Sequence, residues 1–246
     1  MRIAESTGDP AWLYHELSLL DTGFYGGRTR YPAPPGEYYK ELGGGLLLPP
    51  PPEFSGVDTL KALKSRRSRR RYGPVLNLES LSAVLYYSVG VTGVAWWGGP
   101  RRAYPSAGAL MPVEAYVVAR GVSGLDPGIY HYNPGEHSLE PVRLGDYSRA
   151  LYEISLEQEH VSTAPATIIL TSIISRTASK YGWRSYRYIH LDTGHAGENI
   201  YLASEALGLG TVAVGAFYDR RLCALLDIDC VSEMPMIMYP VGPRTG

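Results

Sequence analysis

The sequence predicts an α+β domain with a central mixed or antiparallel sheet flanked by helices. Three observations carry this. Helical and strand patterns interleave from about residue 57 to the C-terminus. The β-branched run ATIILTSIIS (166–175) is too apolar for a surface strand, so it should be central in its sheet. GIYHY (128–132) and SLEPV (138–142), joined by the turn NPGEH, read as a β-hairpin, which breaks the strict alternation of a doubly wound fold.

Taken in order, residues 1–55 form an arm rich in Pro, Gly and Tyr, with one short helical candidate, Ala11 to Leu20. Four consecutive prolines, Pro49 to Pro52, favour an extended polyproline-like path, and the arm is expected to lie over a main body of residues 56–246. Val57, Leu60 and Leu63 share one helical face, and Asp58 suits the cap of that helix. Gly73-Pro74 breaks the chain, and a second helix starts near Asn77, with Leu78, Leu81, Leu85 and Val89 as its stripe and Gly90 as its stop. A loop with paired tryptophans, Trp96 and Trp97, leads to a strand, VEAYVVA, after Pro112. The hairpin follows, and Asp146 caps a helix to about residue 160. After the central strand, the longest helix runs from Arg187 to Leu207, with Ile189, Ala196, Ile200, Ala203 and Leu207 near helical spacing, and Gly208 and Gly210 end it. TVAVGAF (211–217) reads as another buried strand, a short helix follows Asp219, and MPMIMYPVGPRTG closes the chain as a strand and a tail.

Composition excludes several classes. With 246 residues, 45% of them hydrophobic, the chain can build one large domain or one domain with an extension. A net charge of −1 carries no general nucleic-acid footprint, and no apolar run approaches membrane-spanning length. The N-terminus lacks the apolar core of a signal peptide, so a cytoplasmic protein is expected, with no membrane and no nucleic acid as partner. Cys223 and Cys230 make neither a disulfide framework nor a zinc site and read as ordinary reduced, buried cysteines. Three Asn and one Gln fit a heat-adapted, thermophile protein, although genome base composition produces the same bias.

The familiar chemical motifs are missing: no Walker A sequence, no GxGxxG opening a strand–helix unit, no HExxH and no GxSxG. His190, Asp192 and His195 lie close in sequence, but residues five apart share a helical face poorly, which favours a structural or supporting role over metal ligation. What remains is KSRRSRRRY (64–72), with five arginines among six residues broken only by Ser68. Arginine is a planar fork of donors suited to phosphate, and serine adds a compact donor. A solvated basic face or an RNA-binding patch would use the same residues. Two small-residue stretches, Pro105-Ser106-Ala107-Gly108-Ala109 and Val214-Gly215-Ala216, permit close backbone approach to a flat ligand, and close packing or a turn would use them equally. Together with the arginines they suggest a large flat cofactor with a phosphate tail.

Several long segments resemble one family in the same order. RRSRRRY resembles the flavin-phosphate motif of FMN-dependent nitroreductases, YPSAGALMP their Pro-Ser-Ala-Gly loop, and SEALGLGTVAVGAF their Ala-x-x-Leu-Gly-Leu-Gly segment. LESLSAVLYYSVGVTG, GLDPGIYHYNPGEHSLEPV, KYGWRSYRYIHLDTGHAGENIYLASEALGLG and the final PVG are similar to the SagB-type branch, which includes azoline (thiazole and oxazole) dehydrogenases. The likeness spans roughly residues 55 to 243.

This resemblance implies a nitroreductase-like fold, an intertwined homodimer with two FMN sites at the interface, and an arm that embraces the partner. It places Arg66, Arg67, Ser68 and Arg70 on the FMN phosphate and ribityl chain, with Arg244 as a further phosphate contact. It sets Pro105, Ser106, Ala107 and Gly108 against the isoalloxazine from the partner subunit, and Val214, Gly215 and Ala216 along the flavin's reactive edge. Lys180 and Tyr181 match a functional Lys-Tyr pair of the azoline oxidases, with lysine as base and tyrosine as proton relay; a surface or dimer-contact pair is the alternative. Ala109 stands where many nitroreductases carry Asn, which weakens a classical nitroreductase assignment more than the SagB-type one.

The implied activity is two-electron (hydride) transfer between FMN and a small-molecule or modified-peptide ring substrate. An NAD(P)H-dependent nitro or quinone reductase, and an inactive flavin- or ligand-binding module, are the rival readings.

Overall fold

The computed structural model describes residues 10–17, 19, 37–52 and 58–245. Val57, the other residues of the arm and the end of the expected helix Ala11 to Leu20 lie outside them; the described helix, α1, is Pro10–Leu17. Two of the three expected caps are present; at the third, the cap position falls on Tyr147, and Asp146 just before it accepts from the Ser148 amide. Asp58 accepts from the Leu60 and Lys61 amides at the start of α2 (Thr59–Ser65). Asn77 accepts from the Ser80 amide at the start of α3 (Leu78–Val89), which stops at Gly90.

The α+β reading holds. Seven strands form one antiparallel sheet in the order β1 (Leu46–Leu47), β8 (Ser138–Leu144), β7 (Gly128–Asn133), β5 (Val113–Ala119), β9 (Ala166–Ile173), β11 (Glu233–Pro243), β10 (Leu209–Thr211). Two small ribbons stand apart. One is a parallel pair, β2 (Leu76–Asn77) with β6 (Val122–Ser123); the other is a hairpin, β3 (Val91–Val94) with β4 (Pro100–Arg102), whose tip carries Trp96 and Trp97. The central strands are covered on both faces, which is why they read as unbroken apolar runs. Val113, Ala115 and Val117 of β5 join Ile168 and Leu170 of β9 under α3 and the 22-residue helix α7 (Ser185–Ala206). Tyr116, Val118 and Ile169 face the other way, against α4 (Ser148–Ile154), α5 (Glu159–Thr163) and α8 (Asp219–Leu226).

Four expectations need correction. The single helix expected from Asp146 to about residue 160 is two helices, α4 and α5, because Leu156 and Glu157 both take positive φ (58° and 61°) and end the first. TVAVGAF is not one strand. In register, Val212 would face Pro240, which has no N–H to donate, so the ladder stops after Thr211↔Val241 and returns only at the Val214↔Met238 bridge. The chain after Ile173 is not strand but helix α6 (Ile174–Tyr181). Finally, Cys223 and Cys230 are not reduced thiols. They form a disulfide with Cα atoms 5.6 Å apart, because α8 and the turn after it bring the two residues face to face.

The arm segment from Tyr38 to Pro52 wraps the β8 edge of the sheet. Leu42 and Gly43 donate to Glu140, β1 adds to β8, and Pro49 then accepts from Ser82 of α3 on the opposite face.

Candidate active site

Two clusters form, both organised by α7. Its buried positions, among them Ile189, Asp192, Thr193, Ala196, Gly197, Ile200, Tyr201 and Ser204, recur every three to four residues, so one face lies on the sheet.

The first cluster gathers at the C-terminal half of α7. The arginine block leaves α2 as extended chain along the sheet's β10 end, held by the Arg69 amide on Thr211 O, the Gly73 amide on Pro243 O, and a bridge between Tyr72 and Arg244. Arg66 stacks over the Tyr201 ring, 4.9 Å from its centroid, with its Nε 3.7 Å from Glu198. The Ser68 hydroxyl lies 3.0 Å from the Tyr201 hydroxyl, which also accepts from the Ala213 amide at 2.8 Å. Tyr201 therefore ties the arginine–serine block to the 213–216 segment. Arg244 donates to Leu209 O and pairs with Glu205, four residues beyond Tyr201. Arg66, Ser68, Arg244 and Ala213 are thus brought together, whereas Val214 is buried against the other face of the sheet and paired with Met238.

This arrangement suits an anion with a flat extension. Arg67, Ser68 and Arg70 line the accessible side of the block, and Arg66–Glu198 is the salt bridge found on residues 66–71 among the described residues. Arg67 spends one Nη on the Lys64 and Arg66 carbonyls. Arg69 Nε is buried with no hydrogen-bond partner among the described residues, an orphaned donor beside the same stretch. Gly215 and Ala216 are accessible, and a Cβ on Gly215 would meet nothing within 4 Å. Burial raises the Tyr72 hydroxyl well above its usual range, so it remains a donor, to Arg69 O at 2.6 Å.

The second cluster lies at the N-terminal half of α7. Asp192 accepts from the Ser106 hydroxyl (2.8 Å) and the Ala107 amide (3.1 Å), and Ser106 in turn accepts from the Met111 amide. Burial pushes the Asp192 carboxyl up, opposed by Ser106, Ala107 and His195. The loop it anchors presents Gly108 at φ 62°, and a Cβ there would lie 2.6 Å from the Tyr181 hydroxyl and 3.0 Å from Lys180 Nζ. Only a glycine allows both this backbone and this approach. Lys180 and Tyr181, on the last turn of α6, therefore meet the Pro105–Gly108 loop. Tyr181 packs edge-on against Tyr188 at 4.7 Å, and Lys180 is exposed.

Asp192 and Tyr201 are nine residues apart, about 13 Å along the helix. Within one chain the two clusters are therefore separate. Sequence reading did not single out Tyr201 and set Asp192 aside as a possible metal ligand; the described residues hold no group of three or more metal-suited side chains. The available signal was their spacing on the buried stripe of α7.

A family model for the nitroreductase family matches residues 63–243. The chain belongs to the nitroreductase family. It is accordingly an oxidoreductase, and the SagB-like resemblance agrees with its relatives. A nitroreductase-family protein of Methanocaldococcus jannaschii is 37% identical over 78% of this chain and 94% of its own length. The trifolitoxin-processing protein TfxB of Rhizobium leguminosarum bv. trifolii is 34% identical over 68% of this chain; the nitroreductase chain spans 47% of that relative, about half its length. A solved structure of the Escherichia coli microcin synthetase McbBCD complex with truncated pro-MccB17 bound matches with a TM-score of 0.62 at 23% identity, over 79% of this chain and 77% of that one, and supports the fold.

Proposed function

We propose that this nitroreductase is an FMN-dependent, SagB-type dehydrogenase that oxidises an azoline-like ring, small or carried on a peptide. The observation that carries the reading is the contact of Lys180 and Tyr181 with the Gly108 loop. A proton-transfer pair thereby stands on the small-residue loop that the family resemblance sets against the flavin.

Arg66, Arg67, Ser68 and Arg70 are the residues to hold the phosphate and ribityl chain, with Arg244 beside them. Their accessible guanidinium groups and the nearby orphaned donor favour an anion there. Gly215 and Ala216 offer accessible backbone for the flat ring system, and Val214, whose own backbone is paired with Met238, fixes the segment beside them. Bound FMN supplies two-electron hydride chemistry. Lys180 takes the ring proton as base, and the Tyr181 hydroxyl, beside it, relays that proton. Pro105 to Gly108 wall the site.

The family resemblance sets the flavin at a dimer interface, so a complete site takes the arginine cluster from one copy and the loop from another. The protein then works as a homodimer, and the partner supplies the desolvation that exposed Lys180 lacks in one chain. TfxB, named for trifolitoxin processing, and the McbBCD structure with its bound pro-peptide support a peptide-borne substrate.

The test is an absorption spectrum of purified protein after incubation with FMN and desalting, followed by turnover of an azoline-containing peptide. A retained flavin band, with oxidation lost in Lys180→Met and Tyr181→Phe while flavin is kept, supports the reading. A folded protein that does not retain FMN overturns it. Flavin reduction by NADH or NADPH with no azoline oxidation moves the assignment to a nitro or quinone reductase.

A further inference from the structure

The candidate site is coupled to the N-terminal arm through one buried carboxylate. Glu114, fully buried on β5, accepts through Oε1 from two donors: the Lys40 backbone amide (2.9 Å), from the arm, and Arg176 Nη1 (2.5 Å), from α6. The same Arg176 nitrogen also donates to the Met111 carbonyl at 3.1 Å, where the Ser106–Ala109 loop ends. Arg176 thus ties the loop to the helix whose last turn carries Lys180 and Tyr181. The Lys40 side chain reaches past Glu114 to the Tyr116 hydroxyl (2.7 Å) and to Glu233 (2.9 Å), which is buried.

Charge shows what the arm supplies. Three buried carboxylates meet here: Glu114, Glu140 and Glu233. His131 lies between two of them, with Nδ1 2.9 Å from Glu140 and Nε2 3.1 Å from Glu114. Arg176 supplies a cation to Glu114 and Lys40 supplies one to Glu233. Without the arm, Glu233 loses its ion-pair partner and Glu114 an N–H donor, and a buried uncompensated carboxylate is costly.

We propose that Arg176 and the arm residue Lys40 are positioning residues for the Lys180–Tyr181 pair: Arg176 pairs with Glu114 directly, and the Lys40 side chain, anchored on Tyr116 and Glu233, holds its own backbone amide on Glu114, so that α6, the Gly108 loop and the arm share one register. Positioning of reactive groups to a fraction of an ångström governs how well they work. The inference rests on the proposed role of that pair but is tested separately from it.

The sequence contains four lysines, Lys40, Lys61, Lys64 and Lys180, so amine acylation is easily resolved by peptide mass spectrometry. Full-length, FMN-treated protein is acylated with an acetyl ester across a pH series, and Lys180 is read against Lys61 and Lys64, both exposed on α2. Lys40→Met and Arg176→Met are expected to change the Lys180 rate by about threefold or more and shift its pH profile, leaving the reference lysines unmoved. Lys40→Arg restores the native profile. Where Arg176→Met does not fold, Lys40→Met carries the test, since its side chain is already 27% exposed. A Lys180 profile unchanged in folded Lys40→Met overturns the proposal. A shifted profile, even where Lys180→Met leaves turnover intact, upholds the positioning and counts against the catalytic role alone.

Discussion

At the scale of single residues, Gly108 is where backbone and side chains most tightly constrain each other. Its φ of 62° strains any other residue, and a β-carbon would collide with the Tyr181 hydroxyl. Gly108→Ala is expected to lower stability by about 1–3 kcal/mol, read from the urea midpoint, and to displace Tyr181 from the loop. The glycine was legible as a small residue in a loop, but its reason was not, because Tyr181 lies far from it in the sequence. Asp192 shows the same limit. Between two histidines it suggests metal chemistry; in the fold its carboxylate is occupied by Ser106 and Ala107. The arginine–serine block was readable from residue type alone, since phosphate-suited donors keep that character wherever the chain places them.

At the scale of elements, local signals worked where local physics decides. Asp58, Asn77 and Gly90 mark helix ends through bonds made within a few residues, and both strands of the NPGEH hairpin appear where read. They failed where a neighbour decides. The 211–217 run is apolar enough for a strand, yet Pro240 across the ladder interrupts it. The Cys223–Cys230 disulfide closes a loop too short to signal a framework, but it fastens α8 to the turn that opens β11, where Asp229 accepts from Val231 and Ser232. Reduction is expected to cost about 2 kcal/mol by the loop-entropy relation. Urea midpoints measured with and without reductant check this, and Cys230→Ser should show no response to reductant.

At the scale of the molecule, the buried charges set a pH limit. Burial raises the Glu114 and Glu140 carboxyls, but His131, together with Arg176 at Glu114 and the arm amides at Glu140, outweighs it and holds both below the usual glutamate range. Groups with depressed folded pKa values stabilise above the unfolded pKa, about 4.3, and lose that contribution as pH falls through the lower folded value. Urea midpoints should therefore hold steady on this account down to about pH 5 and then fall; Glu140→Gln should start lower at neutral pH and fall less. A midpoint with the same acid slope in both proteins would show that Glu140 does not carry the acid response. The sequence by itself determined the fold class, most helix ends, the hairpin and a block of phosphate-suited donors, because periodicity, capping and donor chemistry are properties of short stretches. Only the tertiary structure decided that Tyr201 joins Ser68 to Ala213, that the Gly108 loop meets Lys180 and Tyr181, and that Lys40 is keyed to buried carboxylates. Those contacts join residues distant in the chain, and packing alone selects which distant groups share a hydrogen bond.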